Sequence, residues 1–322
     1  MDGTVWNIPD YRDPPMQERR VTPWVWIKRI LFVLSLVTLI TPLLDVSYRR
    51  QAAPVVLPAK RLVLTALMTS QGPWTSSNAM QTLHLNLYSG DGAVRAQTIN
   101  RVASIVQNDA WPTLSTLFAT AAVPDANIIL FGSQLGYESA VSENFTGNAV
   151  DIAAKTGGFT VGTTLYLPIY KYVSSGPVAN TIAHELTHVF LNVTGISRVI
   201  PQWLNEGFAW TIGLKAENAV DPAQVQTLLA QLTAQFDAAR RSGHMAPLTT
   251  ATDVGLQKNF EYNLEFEDYL AVKQLETGYG SAALPVFLRN SIDVGLTNSF
   301  AASFGIGLTS YEQAFYNRFA VH

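Results

Sequence analysis

Cysteine is absent from all 322 residues. That excludes thiolate metal ligands, disulfides and thiol nucleophiles. Charge is sparse: Asp, Glu, Lys and Arg make up 14 % of the chain against 48 % hydrophobic residues, which is the balance of a globular protein rather than a disordered one. The net charge of −3 is unevenly spread. Residues 1–61 hold nine basic and five acidic side chains, and residues 62–322 hold twelve and nineteen. The second stretch has no basic patch interleaved with aromatics, so nucleic acid is not an expected partner. There is no internal repeat and no low-complexity run. Beyond Leu44 no stretch is long and apolar enough to span a membrane.

Histidine is scarce too, with five in the chain, yet two of them fall in one pentapeptide, His184-Glu185-Leu186-Thr187-His188. At this composition the pattern His-Glu-x-x-His arises by chance in about 0.3 % of such chains. On a helix, positions i and i+4 point the same way, so both imidazoles can share one metal ion. Glu185 lands beside the open face of that ion. Eighteen residues after the second histidine comes Glu206, within Trp203-Leu204-Asn205-Glu206-Gly207-Phe208-Ala209. Two imidazole nitrogens and one carboxylate oxygen make a three-ligand zinc site, with a fourth position left for water. The flanks are apolar, Ile182-Ala183 before and Val189-Phe190-Leu191 after. Two histidines and a glutamate buried there without a partner would be costly, and a metal removes that cost.

The local signals bound two helices. Ser175-Gly176-Pro177 starts the first and Gly195 stops it. Pro201 opens the second, which is expected to run to about Leu214, and antiparallel packing brings Glu206 back to the histidines. With these residues in view, the chain resembles the gluzincin branch of the zinc metallopeptidases. It is most similar to the small peptidase MA-like domains, which are related to the thermolysin and M1 aminopeptidase families. The specific resemblance covers about residues 180–214. It implies His184, His188 and Glu206 as the ligands of one Zn2+ per chain and Glu185 as the general base. The Gly-x-Met-x-Asn signature of the aminopeptidases is missing, so aminopeptidase activity is not implied. The residue that steadies the oxyanion in these families has no direct match; Tyr262 and Tyr269 are the candidates. His84 and His244 are read as structural or surface residues.

The N-terminal part carries a membrane signal. Ile30 to Leu44 is an uncharged run of fifteen residues. At about 22 Å it is short for a core of about 30 Å, but Trp24-Val25-Trp26-Ile27 lengthens it if Lys28 and Arg29 snorkel. No small-x-small cleavage site follows. The expectation is a single uncleaved anchor over 24–46, a cytoplasmic tail over 1–23 and a linker over 47–80, with the catalytic part outside the cytoplasm. Five basic residues before the run against four after it set that orientation.

The remainder predicts an α+β, gluzincin-like domain: a sheet and zinc-helix half over 81–216, then a helical half over 217–322. Leu83–Leu87 and Asn127–Phe131 are expected strands. Thr98–Ala121 is an expected helix, broken at Trp111-Pro112. Asp151–Ala154 and Phe159–Ile169 are expected to form a hairpin that rims the cleft, with one edge open to an extended peptide. Helices are expected over Pro222–Arg241, Phe260–Thr277, Ala282–Ile292 and Ser310–Phe319. The function these features imply is a membrane-anchored zinc endopeptidase with a peptide or protein substrate and membrane lipid as its partners. The alternative is a peptidase-like binding or regulatory domain with little turnover.

Overall fold

The computed structural model of the chain describes residues 85–118, 125–250 and 261–319. The expected tail, anchor and linker, with Ile30–Leu44, lie outside the described residues, as do His84 and the start of the first expected strand. Among the described residues no helix is long and apolar enough to cross a membrane.

The fold is α+β, a small mixed sheet within a mostly helical chain. In chain order it runs β1 (Leu85–Ser89), α1 (Ala96–Ile105), a π-helical turn (Val106–Ala110), α2 (Trp111–Phe118), β2 (Ala126–Phe131), α3 (Gln134–Asn144), α4 (Ala149–Lys155), β3 (Phe159–Val161) and β4 (Thr164–Pro168). Then come α5 (Ser175–Val193), α6 (Gln202–Val220), α7 (Pro222–Ser242), α8 (Leu264–Tyr279), α9 (Ala283–Asp293), α10 (Leu296–Phe304) and α11 (Leu308–Phe319). The sheet order is β1-β2-β4-β3. The first three strands are parallel, and β3 pairs antiparallel with β4 at the edge.

Both faces of the sheet are covered, and side-chain alternation divides them. Ile128, Leu130, Leu165 and Leu167 enter the main core with Ile182, Ala183, Leu186 and Val189 of α5. Phe131 and Phe159, with Tyr166 packed against them, join a second cluster with Tyr137 and Val141 of α3 and Ala153 of α4. Phe159 and Tyr166 stack at 4.6 Å between ring centroids.

Three expectations need correction. The helix from α1 to α2 does not break at Trp111-Pro112. Pro112 lacks an N–H and its ring crowds the preceding turn, and the wider π turn at Val106–Ala110 accommodates it within a continuous helix. The Thr113 hydroxyl donates to the Asp109 carbonyl at 3.0 Å. Residues 151–154 are not a strand but part of α4. Asn148 caps that helix by accepting from the Val150 N–H (3.2 Å), and Lys171 donates to the Thr156 carbonyl just past its end (2.7 Å). Such local capping outweighs a short apolar run. The hairpin is therefore β3–β4 alone, turning at Gly162, whose φ is 61°. Finally, α6 continues past Leu214 to Val220. Asp221 then caps α7 by accepting from the Gln224 N–H (3.0 Å).

The helix pair α5–α6 is braced by α8. A Cβ at Gly207 would meet the Asp268 carbonyl oxygen and the Val272 side chain, each at 2.5 Å. Only a residue without a side chain lets α8 lie this close. Gly207→Ala is expected to cost about 1–3 kcal/mol by overpacking. An unchanged thermal midpoint in Gly207→Ala would refute this.

A buried carboxyl also sits in the helical half. Glu267 on α8 is 2 % exposed. It accepts the Tyr262 hydroxyl at 2.6 Å, but its Oε1 has no partner among the described residues. Burial pushes its carboxyl up to about 7. The unfolded chain thus ionises this group near pH 4.5, while the folded chain holds its proton to near 7. Its contribution to stability falls as pH rises across that window, by about 3 kcal/mol. Glu267→Gln removes that dependence. The gain in melting temperature over the native chain should be larger at pH 8 than at pH 5; an equal or reversed difference would contradict it.

Candidate metal centre

His184 and His188 lie one turn apart on α5, and Glu206 reaches them from the second turn of α6. The two Nε2 atoms are 3.0 Å apart. Glu206 Oε2 lies 3.6 Å from the first and 3.4 Å from the second. Donor atoms held at 2.0–2.2 Å around a tetrahedral ion lie about 3.3–3.6 Å apart; the two separations to Glu206 fall in that range, and the two imidazoles need open by only about 0.3 Å to take one ion. Among the described residues, this is the set of His, Asp and Glu side chains whose ligand atoms converge in this way. The donor set, two imidazoles and a carboxylate, suits zinc and comparable divalent metals.

The sequence signals for the two helices produce this arrangement directly. The first helix places two imidazoles on one face. Its end and the short link to Pro201 send α6 back alongside it, and Glu206 follows. The structure adds a residue that sequence reasoning missed. Asn205 Oδ1 lies 3.0 Å from His188 Nδ1, so the ring donates there and leaves Nε2 free for a metal. Partners of this kind fix the tautomer and the ring orientation of metal-binding histidines. Its signal was its place, one residue before the ligand Glu206.

The electrostatics suit a cation. Burial, and then the charge of His188, push His184 down to about 3. Burial opposes a charge on His188 most strongly of any single cause, but Glu206, together with Glu185 and Asn205, outweighs it and pushes that imidazole up to about 10. Burial works against the Glu206 charge as well, yet His188 holds the carboxyl below its usual range. Glu206 therefore favours a positive partner, a role that a metal ion can fill.

Glu185 is 7 % exposed and outside the ligand set. Burial raises its carboxyl above the usual range. The Thr160 hydroxyl donates to its Oε2 at 2.8 Å. His184, Glu185, His188 and Glu206 all open onto one cleft of about 750 Å³. Its walls come from Gly158–Thr160 of the β3 edge, the α3–α4 loop at Phe145–Asn148, and Glu265 of α8. Glu265 is held by the indole N–H of Trp210 at 2.8 Å.

Neither candidate tyrosine lines this cleft. Tyr262 is 4 % exposed; it donates to Glu267 and accepts from the Ala246 N–H at 2.9 Å. Tyr269 packs on Phe266, with 5.7 Å between ring centroids. Both belong with the core of the helical half. His244 is exposed and does not line the cleft. In comparisons with known proteins, no family model matches the chain and no curated protein matches it.

Proposed function

We propose that the protein is a zinc-dependent endopeptidase of the gluzincin type. One observation carries the reading. Three ligand atoms 3.0–3.6 Å apart share a cleft with a buried carboxylate that is not itself a ligand. When bound, zinc supplies Lewis acidity, lowering the pKa of a water from 15.7 to about 7 and polarising the scissile carbonyl. His184, His188 and Glu206 hold the ion, and Asn205 keeps His188 turned toward it. Glu185 takes the proton from the attacking water and passes it to the leaving amine. The free edge of β3 offers main-chain groups with which an extended peptide can pair.

The test is metal analysis paired with digestion of labelled casein, with and without a chelator. About one zinc per chain and chelator-sensitive cleavage are expected. Zinc without cleavage would favour a binding domain of the same fold, and no zinc would end the reading. We further propose that residues 24–46 anchor the chain and hold the catalytic part outside the cytoplasm. Protease added to intact cells should then digest residues 47–322; their survival until lysis would reverse the orientation.

A further inference from the structure

Thr160 occupies a position that the motif gives no reason to expect. It is the middle residue of β3, the edge strand of the sheet. The hairpin register pairs Val161 with Thr164, Thr160 with Leu165 and Phe159 with Tyr166. A two-residue turn closes on a hydrogen-bonded pair, here Val161 and Thr164, and pairs then alternate along the ladder. Thr160 is therefore the residue whose N–H and C=O turn away from β4, toward the open edge. Gly158, Phe159 and Thr160 line the same cleft as His184, Glu185, His188 and Glu206.

Its side chain points the other way, across to α5. The hydroxyl lies 2.8 Å from Glu185 Oε2 and 3.2 Å from the Glu185 carbonyl oxygen. A hydroxyl has one hydrogen to give. The shorter, charge-assisted contact to the carboxylate is the stronger claim on it. The Glu185 carboxylate is buried, and among the described residues the Thr160 hydroxyl is the donor the structure gives it. One residue thus turns its backbone to the open edge of the sheet and holds the carboxylate with its side chain.

We propose that Thr160 is a positioning residue that couples substrate registration to proton transfer. Its main chain pairs with the extended peptide at the β3 edge, and its hydroxyl fixes the Glu185 carboxylate where it takes the proton from the attacking water. The proposal rests on the peptidase reading above. It goes further by making the base and the peptide backbone share one anchor, so that a peptide in the wrong register disturbs the base. A misplacement of about 1 Å in such a group can cost about 100-fold in rate.

The experiment compares Thr160→Val and Thr160→Ser in the full chain. Valine keeps the shape and the strand but removes the donor; serine restores the donor. With zinc loaded and fluorescein-labelled casein as probe, Thr160→Val should lower kcat by about 10- to 100-fold, with KM within about twofold. Zinc stoichiometry should not change, and Thr160→Ser should recover most of the rate. A wild-type kcat in Thr160→Val, a loss confined to KM, or an equal loss in Thr160→Ser would overturn the proposal. A second readout does not involve turnover. In crystals of the metal-free variants, the Glu185 carboxylate should leave its position in Thr160→Val and keep it in Thr160→Ser. An unmoved carboxylate in Thr160→Val would overturn the proposal by itself. If the native chain cuts no casein, the peptidase reading fails, and the crystal comparison still decides whether Thr160 holds Glu185.

Discussion

His188→Ala is expected to leave the purified protein without stoichiometric zinc. On the proposed reading the residue contributes one of three ligand atoms, and its Nε2 lies closest to the other two, 3.0 Å from His184 and 3.4 Å from Glu206. Two remaining donors cannot enclose a tetrahedral ion. Loss of a partner behind a ligand typically weakens metal affinity about 10–100-fold, and loss of the ligand itself must exceed that. Asn205→Ala therefore makes an internal scale: it should weaken zinc by that factor, while His188→Ala abolishes it. The metal-free fold is affected as well. Glu206 carries its charge because His188 balances it, and removing one partner of a buried pair leaves an uncompensated charge. His188→Ala should thus melt lower than the native apoprotein. Zinc content after gel filtration checks the assignment. One zinc per chain retained in His188→Ala, or in the double variant with His184→Ala, would remove this site from consideration.

The convergence of His184, His188 and Glu206 was legible because its geometry is local. Two histidines four apart need only a helix to converge, and Glu206 needs only a short link and an antiparallel return. Asn205 was equally local but carried no motif of its own. Thr160 could not be seen: it lies 25 residues before Glu185, on a strand whose partner and edge position depend on the whole sheet. Strand β2 was readable as an apolar run, whereas β4 was legible only as part of a longer strand, Phe159–Ile169, which the turn at Gly162 divides. Helix α3 was not, because Gln134–Asn144 buries only Tyr137, Ala140 and Val141 and shows no sustained apolar stripe. Helix α4 was misread as a strand since Asp151–Ala154 is too short for periodicity to decide, and its caps at Asn148 and Lys171 decide instead. The tyrosines show the same limit from the other side. Tyr262 lies in the stretch of sequence where an oxyanion partner was sought, but its hydroxyl is spent on Glu267 and Ala246.

Glu185→Gln is expected to separate metal binding from turnover. Glu185 is not among the three convergent ligands, so zinc content should match the native chain. The amide oxygen of glutamine can still accept the Thr160 hydroxyl, which the native carboxylate accepts at 2.8 Å, so the packing of β3 against α5 should survive. What glutamine cannot do is take a proton from water. General-base catalysis supplies about 10²–10⁴-fold in rate, equivalent to about 3–5 kcal/mol of barrier, and kcat should fall by that factor. A buried side chain also gains from losing its charge, because burial already raises the Glu185 carboxyl. The variant should therefore melt no lower than the native protein, which distinguishes it from His188→Ala, where zinc, turnover and stability all fall. Zinc content, melting temperature and casein hydrolysis measured on one preparation check all three. Native turnover in zinc-loaded Glu185→Gln would assign the proton transfer to another group. Lost zinc would mean that Glu185 reaches the ion after all, and would redraw the ligand set from three residues to four.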